Sequence, residues 1–341
     1  MRAALFYGPN QPLAITEVTD PVPTSDEILV RVAACGLCHT DLHYIDHNVP
    51  TFKKPPVILG HEASGVVERV GERVTGLKPG DRVLLPAVLT CDSCRMCARG
   101  RSNICENMRM YGNHIDGAFA ECVTAPARQA FKLPPEIPLE EACIIGDAVT
   151  TAYHAVVDRG QIQPGDRVAV FGCGGVGINV VQIAAAFGGH VIAVDAVESK
   201  LELARSLGAR ETILAGAGRA VAKEIRKSGG VDTAFECIGN PAVIREAHDS
   251  IRRGGRLCVV GYCEKPVELA VSKIMFNEQD VVGSLGCPPS KFPEVIHLVK
   301  EGKIKIKPLI SERFTLTHIN AGLDKLRRGV GIRNIVYMET S

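Results

Sequence analysis

Apolar and polar residues alternate with a period of two through the first third of the chain. Residues 2–7, 13–18 and 28–33 follow this pattern between Pro and Asp breaks, and 65–70, 82–85 and 120–123 continue it. Such alternation predicts short, half-buried antiparallel strands, with Lys78-Pro79-Gly80-Asp81 as a turn between two of them. The pattern changes at Arg167. Strands over 168–171, 191–195, 212–214, 232–237, 256–260 and 281–284 are separated, up to residue 252, by helices over 176–187, 200–207, 219–227 and 242–252. Six strands with helical crossovers predict an α/β fold built on an open, parallel, doubly wound sheet. A tail from about residue 289 holds a helix over 293–301, a strand-like 310–314, a further helix and a last strand.

Composition narrows the class. At 341 residues the chain is long enough for two domains. Its 39 Lys and Arg nearly balance 38 Asp and Glu, which gives no electrostatic case for nucleic acid or an anionic membrane as partner. No apolar run approaches the roughly 20 residues of a spanning helix, and the N-terminal stretch is too soon broken for a signal peptide. A cytoplasmic location is the expectation. Five of the thirteen cysteines (Cys91, Cys94, Cys97, Cys105 and Cys122) crowd together, and in a reducing compartment clustered thiols point to metal rather than disulfides.

Cys91, Cys94, Cys97 and Cys105 are spaced C-x₂-C-x₂-C-x₇-C. Four thiolates around one Zn²⁺ make a closed tetrahedral site that ties down a loop too polar to fold by burial. An Fe–S cluster would use the same four ligands and stays open as an alternative.

Gly172-Cys173-Gly174-Gly175-Val176-Gly177 matches G-x-G-x-x-G between a predicted strand and helix, and the next strand ends in Asp195. This is the context in which glycine-rich turns hold a dinucleotide pyrophosphate at a helix N-terminus. Asp195 can accept from the ribose hydroxyls and would repel a 2′-phosphate, which favours NAD over NADP. Lys200, on the following helix, is placed to reach the same ribose.

The densest chemistry lies between Cys35 and Gly71, in a window that otherwise reads as strand and turn. Cys38, His39, Thr40, Asp41 and His43 come first, and His61 and Glu62 follow a loop. A thiol beside an imidazole, with carboxylates to orient them, is what a catalytic zinc requires.

Taken together, these parts resemble the zinc-dependent medium-chain alcohol dehydrogenases over essentially the whole chain. Gly60-His61-Glu62-x₂-Gly65-x₅-Gly71-x₂-Val74 matches that family's zinc signature, and Cys38-His39-Thr40-Asp41-Leu42-His43 is similar to the first-ligand loop of its microbial members. The resemblance implies a GroES-like catalytic domain over 1–150 and 289–341, with a structural-zinc lobe at 88–108. It implies an NAD-binding Rossmann domain over 151–288. Cys38 and His61 would bind catalytic zinc, Thr40 would bond the substrate hydroxyl, and His43 would take the proton at the surface. Asp41 would orient His61, Glu62 would exchange on and off the metal, and His39 and Arg333 would contact the pyrophosphate.

The third zinc ligand departs from the family's usual cysteine. Asp147 occupies that position, as in some branches, and its charge with one thiolate and one imidazole cancels Zn²⁺. Cys143, four residues earlier and on the same face of a helix if one forms, is the rival. Two zincs per chain, NAD and an alcohol or carbonyl substrate follow from the resemblance, with a homodimer or homotetramer pairing through the 281–284 edge. The substrate pocket is expected around Thr40, Ala87, Val88, Tyr111 and residues 284–288. The small Ala87 suits a medium-sized, branched, cyclic or aromatic alcohol better than ethanol. Alicyclic hydroxyacyl-CoA oxidation, polyol oxidation and a non-catalytic dinucleotide binder are the alternatives.

Overall fold

The computed structural model describes residues 1–216 and 220–339. The chain divides into two compact units, one of 1–147, 288–302 and 306–341 and one of 148–287 and 303–305.

The first unit is built on a seven-stranded sheet. Its central strand Glu27–Gly36 pairs antiparallel with Ala63–Val70, Cys122–Pro126 and the late strand Arg333–Tyr337. Ile310–Thr315 extends the sheet in parallel with Arg333–Tyr337. The inward-facing residues of the alternating strands, among them Ile28, Val30, Val67 and Val123, meet Phe119, Leu316 and Ile319 in one buried core. The half-buried strands expected from the alternation are more deeply covered than that: Glu27–Gly36 buries the consecutive residues Ile28, Leu29 and Val30, so this central strand is covered on both faces.

One element departs from the expected strand and turn. Residues His39–Asp46 form an α-helix, with Leu42 and Ile45 buried. Cys38 caps it: the Asp41 carboxylate Oδ2 accepts the Cys38 backbone N–H at 3.0 Å, and the Asp41 N–H donates to the Cys38 carbonyl at 3.0 Å. A capping carboxylate three residues into the helix satisfies an N–H that the helix itself leaves orphaned.

The second unit is a six-stranded, wholly parallel sheet. Its order is Glu211–Leu214, His190–Asp195, Arg167–Phe171, Val231–Glu236, Ile251–Val259 and Asp280–Gly283. This is the doubly wound order, with the first two crossovers leading to one side and the rest to the other. The helix expected over 242–252 ends at Ser250, because strand pairing starts at Ile251. The helix expected over 219–227 runs Val221–Lys227, and Arg219 lies outside the described residues. No helix among the described residues is long and apolar enough to cross a membrane.

Candidate metal centres and cofactor loop

Two groups of side chains in the first unit converge tightly enough to hold a metal ion. Cys91, Cys94, Cys97 and Cys105 form one, and Cys38, His61, Glu62 and Asp147 the other.

In the four-cysteine lobe the sulfur separations are 3.4 Å (Cys91–Cys105), 3.5 Å (Cys94–Cys97), 3.8 Å (Cys94–Cys105) and 4.0 Å (Cys91–Cys97). Thiolates about 2.3 Å from a shared tetrahedral zinc would stand about 3.8 Å apart. All four thiols are free. Backbone N–H groups of Cys94 and Asn107 point at Cys91 and Cys105 Sγ at 3.3 and 3.4 Å. Donors from Ser93 and Cys94 hold the Cys91 thiol down to about 5. The helix Arg95–Ala98 buries none of its residues. A lobe with so little apolar content fits a fold held by a metal rather than by burial.

The second group is assembled from three segments. Cys38 stands at the helix cap, His61 follows the short strand Val57–Ile58, and Asp147 closes a 3₁₀ turn, Cys143–Gly146. The His61 Nε2 lies 3.6 Å from Asp147 Oδ2, and Cys38 Sγ lies 3.9 Å from the same oxygen. His61 is 1 % exposed, and neither ring nitrogen has a hydrogen-bond partner. A buried, unsatisfied imidazole is costly, and a cation bound at Nε2 removes that cost. Ligands 2.0 to 2.3 Å from a tetrahedral zinc stand about 3.3 to 3.8 Å apart, so the donor set fits the metal.

The surroundings tune this set. Asp41 Oδ1 faces His61 Nδ1 at 3.6 Å with both side chains buried, so one carboxylate both caps the helix and faces the imidazole. Burial disfavours the His61 cation, but Asp41, Asp147 and Cys38 together outweigh it and push its pKa well above the usual imidazole value. A metal at Nε2 would replace that proton. Glu62 is fully buried behind the group, and the Arg333 guanidinium donates to its Oε1. Burial works against the Arg333 charge, while Glu62, Cys38 and Asp147 hold it above the ordinary arginine value. The resemblance sends Arg333 to a pyrophosphate; its guanidinium is buried against Glu62. Gly36 admits no side chain, because a Cβ there would stand 2.1 Å from Glu62 Oε2.

Cys143 does not join the group. Residues 143–146 form a 3₁₀ turn, in which positions four apart do not share a face. Cys143 is instead fully buried, and burial drives its thiol pKa well up. Tyr111 is likewise a core residue, with its hydroxyl donating to the Thr124 carbonyl at 3.0 Å. Ala87 does border the group: its N–H donates to the Gly146 carbonyl at 3.3 Å. Thr40 Oγ1 lies 3.6 Å from Cys38 Sγ. His39 is exposed at the helix start, and His43 stands half-buried one turn beyond it. His47, which no sequence motif singles out, has its Nδ1 3.1 Å from His43 Nδ1. An i,i+4 histidine pair was the available signal, but it is legible only once 39–46 is known to be a helix.

In the second unit the glycine loop leads from the strand Arg167–Phe171 to the helix Gly177–Ala186. A Cβ on Gly174 would meet nothing within 4 Å, so the backbone there lies open to a ligand. One on Gly177 would stand 1.8 Å from the Gly172 carbonyl, which is why the helix can start so close to the strand. Asp195 Oδ2 accepts the Cys173 N–H at 2.7 Å and its Oδ1 the Val197 N–H at 2.9 Å. Each oxygen keeps a lone pair for a ribose hydroxyl, so loop and acid fit a dinucleotide.

Residues 24–135 match the alcohol dehydrogenase GroES-like domain, and residues 175–301 match the zinc-binding dehydrogenase domain. Over 330 residues the chain is 37% identical to an alcohol dehydrogenase of Geobacillus stearothermophilus, covering 96% of this chain and 97% of that one. The chain belongs to the zinc-dependent medium-chain alcohol dehydrogenase family. Solved structures of the family share its fold. An alcohol dehydrogenase of Thermus sp. ATN1, 30% identical, matches with a TM-score of 0.92 over 99% of this chain and 100% of that one. A Sinorhizobium meliloti 1021 protein solved with NADP bound, also 30% identical, matches with a TM-score of 0.90 over 98% of each chain. Membership makes the protein an oxidoreductase of the zinc-binding dehydrogenase type.

Proposed function

We propose that this family member is an NAD-dependent alcohol dehydrogenase with two zincs per chain, acting on a medium-sized branched, cyclic or aromatic alcohol and its carbonyl product. The observation that carries the reading is the buried, unsatisfied His61 imidazole facing the Cys38 thiol and the Asp147 carboxylate. Cys38, His61 and Asp147 would hold the catalytic ion, and Cys91, Cys94, Cys97 and Cys105 the structural one. Zinc, when bound, supplies a Lewis acid for the alcohol oxygen, and NAD the hydride acceptor.

The chain's own residues then position and move the proton. Thr40, whose Oγ1 lies 3.6 Å from Cys38 Sγ, would accept it, and His43 lies one turn further along the same helix. Glu62, backed by Arg333, is the carboxylate nearest to replacing a ligand. Asp195 supports NAD, because its carboxylate would meet a 2′-phosphate with like charge. Gly172, Gly174, Gly175, Val176 and Gly177 would hold the pyrophosphate, with His39 and Lys200 as further contacts. The small Ala87 beside Gly146 supports room for a larger alcohol.

A panel of primary, secondary, cyclic and aromatic alcohols, followed by NADH absorbance, tests this. The highest kcat/KM is expected on a cyclic or aromatic alcohol, with NAD preferred over NADP. A best kcat/KM on ethanol would overturn the substrate class, and a preference for NADP the role of Asp195.

A further inference from the structure

Histidines at 43 and 47 sit at the end of the ligand helix, and their Nδ1 atoms are 3.1 Å apart with the rings tilted at 48°. Two imidazole nitrogens at that distance share one proton, so one ring donates and the other accepts. His43 is half-buried and His47 exposed. The geometry is held from several directions. The His47 N–H donates to the His43 carbonyl at 3.3 Å, which closes the helix end. Asp46, between the two rings in sequence, is clamped by Arg327 at 2.7 and 3.0 Å, and Asp324 contacts Arg327 in turn. Of the charged groups near this helix end, Asp46 is thus neutralised by Arg327, while Asp41 faces inward to His61.

We propose that His47 is the solvent-side terminus of a two-histidine proton relay, so that His43 delivers its proton to His47 rather than directly to water. The inference rests on the reading of Thr40 and His43 as the proton path. During alcohol oxidation His43 takes up one proton and becomes an imidazolium. Its Nδ1 proton crosses the 3.1 Å contact to His47 Nδ1. His47 then gives one proton to water or buffer, and tautomer exchange through water resets the neutral pair. One proton enters and one leaves, with no change of oxidation state. An imidazole suits this task because its ordinary pKa lies close to neutral pH. His47 touches no reacting atom, so it acts as a positioning and relay residue for His43.

The test uses the holoenzyme and the variants His47→Gln, His43→Gln and the double variant, assayed from about pH 6 to 8 in dilute buffer. His47→Gln is expected to slow alcohol oxidation roughly three- to tenfold at the acid end, less than the ~100-fold loss typical of a direct acid–base group. The loss should shrink as pH rises and disappear on adding imidazole buffer, and the double variant should be no slower than His43→Gln. An unchanged pH profile, or losses that multiply in the double variant, would overturn the relay. ¹⁵N NMR titration of the histidine rings gives a readout that needs no turnover. The His43 curve should shift when His47 is replaced, and identical curves would overturn the coupling. If the wild-type protein oxidises no alcohol, the proposed function fails, and the NMR result alone decides the histidine pair.

Discussion

At the residue scale, the buried pair of Arg333 and Glu62 shows what the metal group demands of its surroundings. Glu62 is fully buried and Arg333 only 3 % exposed, so each charge depends on the other. Removing one partner of such a pair costs about 3 to 5 kcal/mol, because the other is left uncompensated. Arg333→Ala is therefore expected to lower urea-unfolding stability by that amount, whereas Arg333→Lys, which keeps the charge, should recover part of it. A loss below about 1 kcal/mol for Arg333→Ala would place it with ordinary surface pairs. The candidate ligands Cys38 and His61 could be singled out because a thiol, imidazoles and carboxylates have few reasons to cluster in one short stretch, whereas Asp147, far along the chain, rests on the family resemblance. The Glu62–Arg333 contact was not legible, since it joins positions far apart in sequence, Glu62 just before the strand Ala63–Val70 and Arg333 at the start of Arg333–Tyr337, and these strands come together on either side of Glu27–Gly36.

At the element scale, the inner parallel strands of the second unit were legible because they are buried on both faces and read as apolar runs, as at Val168, Ala169 and Val170. The ligand helix His39–Asp46 was not. It is short and largely polar, and its cap uses cysteine where a hydroxyl or amide is usual, so the familiar capping signature is missing. That one omission hid the His43–His47 pair. The third-ligand turn went unread for a related reason: its tight 3₁₀ geometry, rather than an α-helix, brings Asp147 to the group and turns Cys143 inward. We propose that the fold of the four-cysteine lobe depends on a metal. Cys94→Ala should lower zinc content by one per chain and reduce the thermal midpoint, checked by elemental analysis and calorimetry. Retention of the full zinc complement with an unchanged midpoint would show that the lobe folds without it.

At the scale of the whole molecule, the strand Asp280–Gly283 leaves one edge of the six-stranded sheet unpaired among the described residues. Val281 on that strand is exposed, and so are Val271, Met275 and Phe276 on the helix Val271–Phe276, which buries none of its residues. We propose that this face pairs with a second copy of the chain, since open edges and apolar patches in one place favour association. Val281→Lys with Met275→Glu is expected to shift the protein to a monomer in sedimentation, and an unchanged mass would rule out this face. Zinc content measured beside turnover tests the metal assignment most directly. The wild-type chain should carry two zincs and oxidise alcohol, while Asp147→Ala should keep the four-cysteine zinc, lose the other and lose turnover. An Asp147→Ala protein with two zincs per chain and full turnover would remove Asp147 from the metal site.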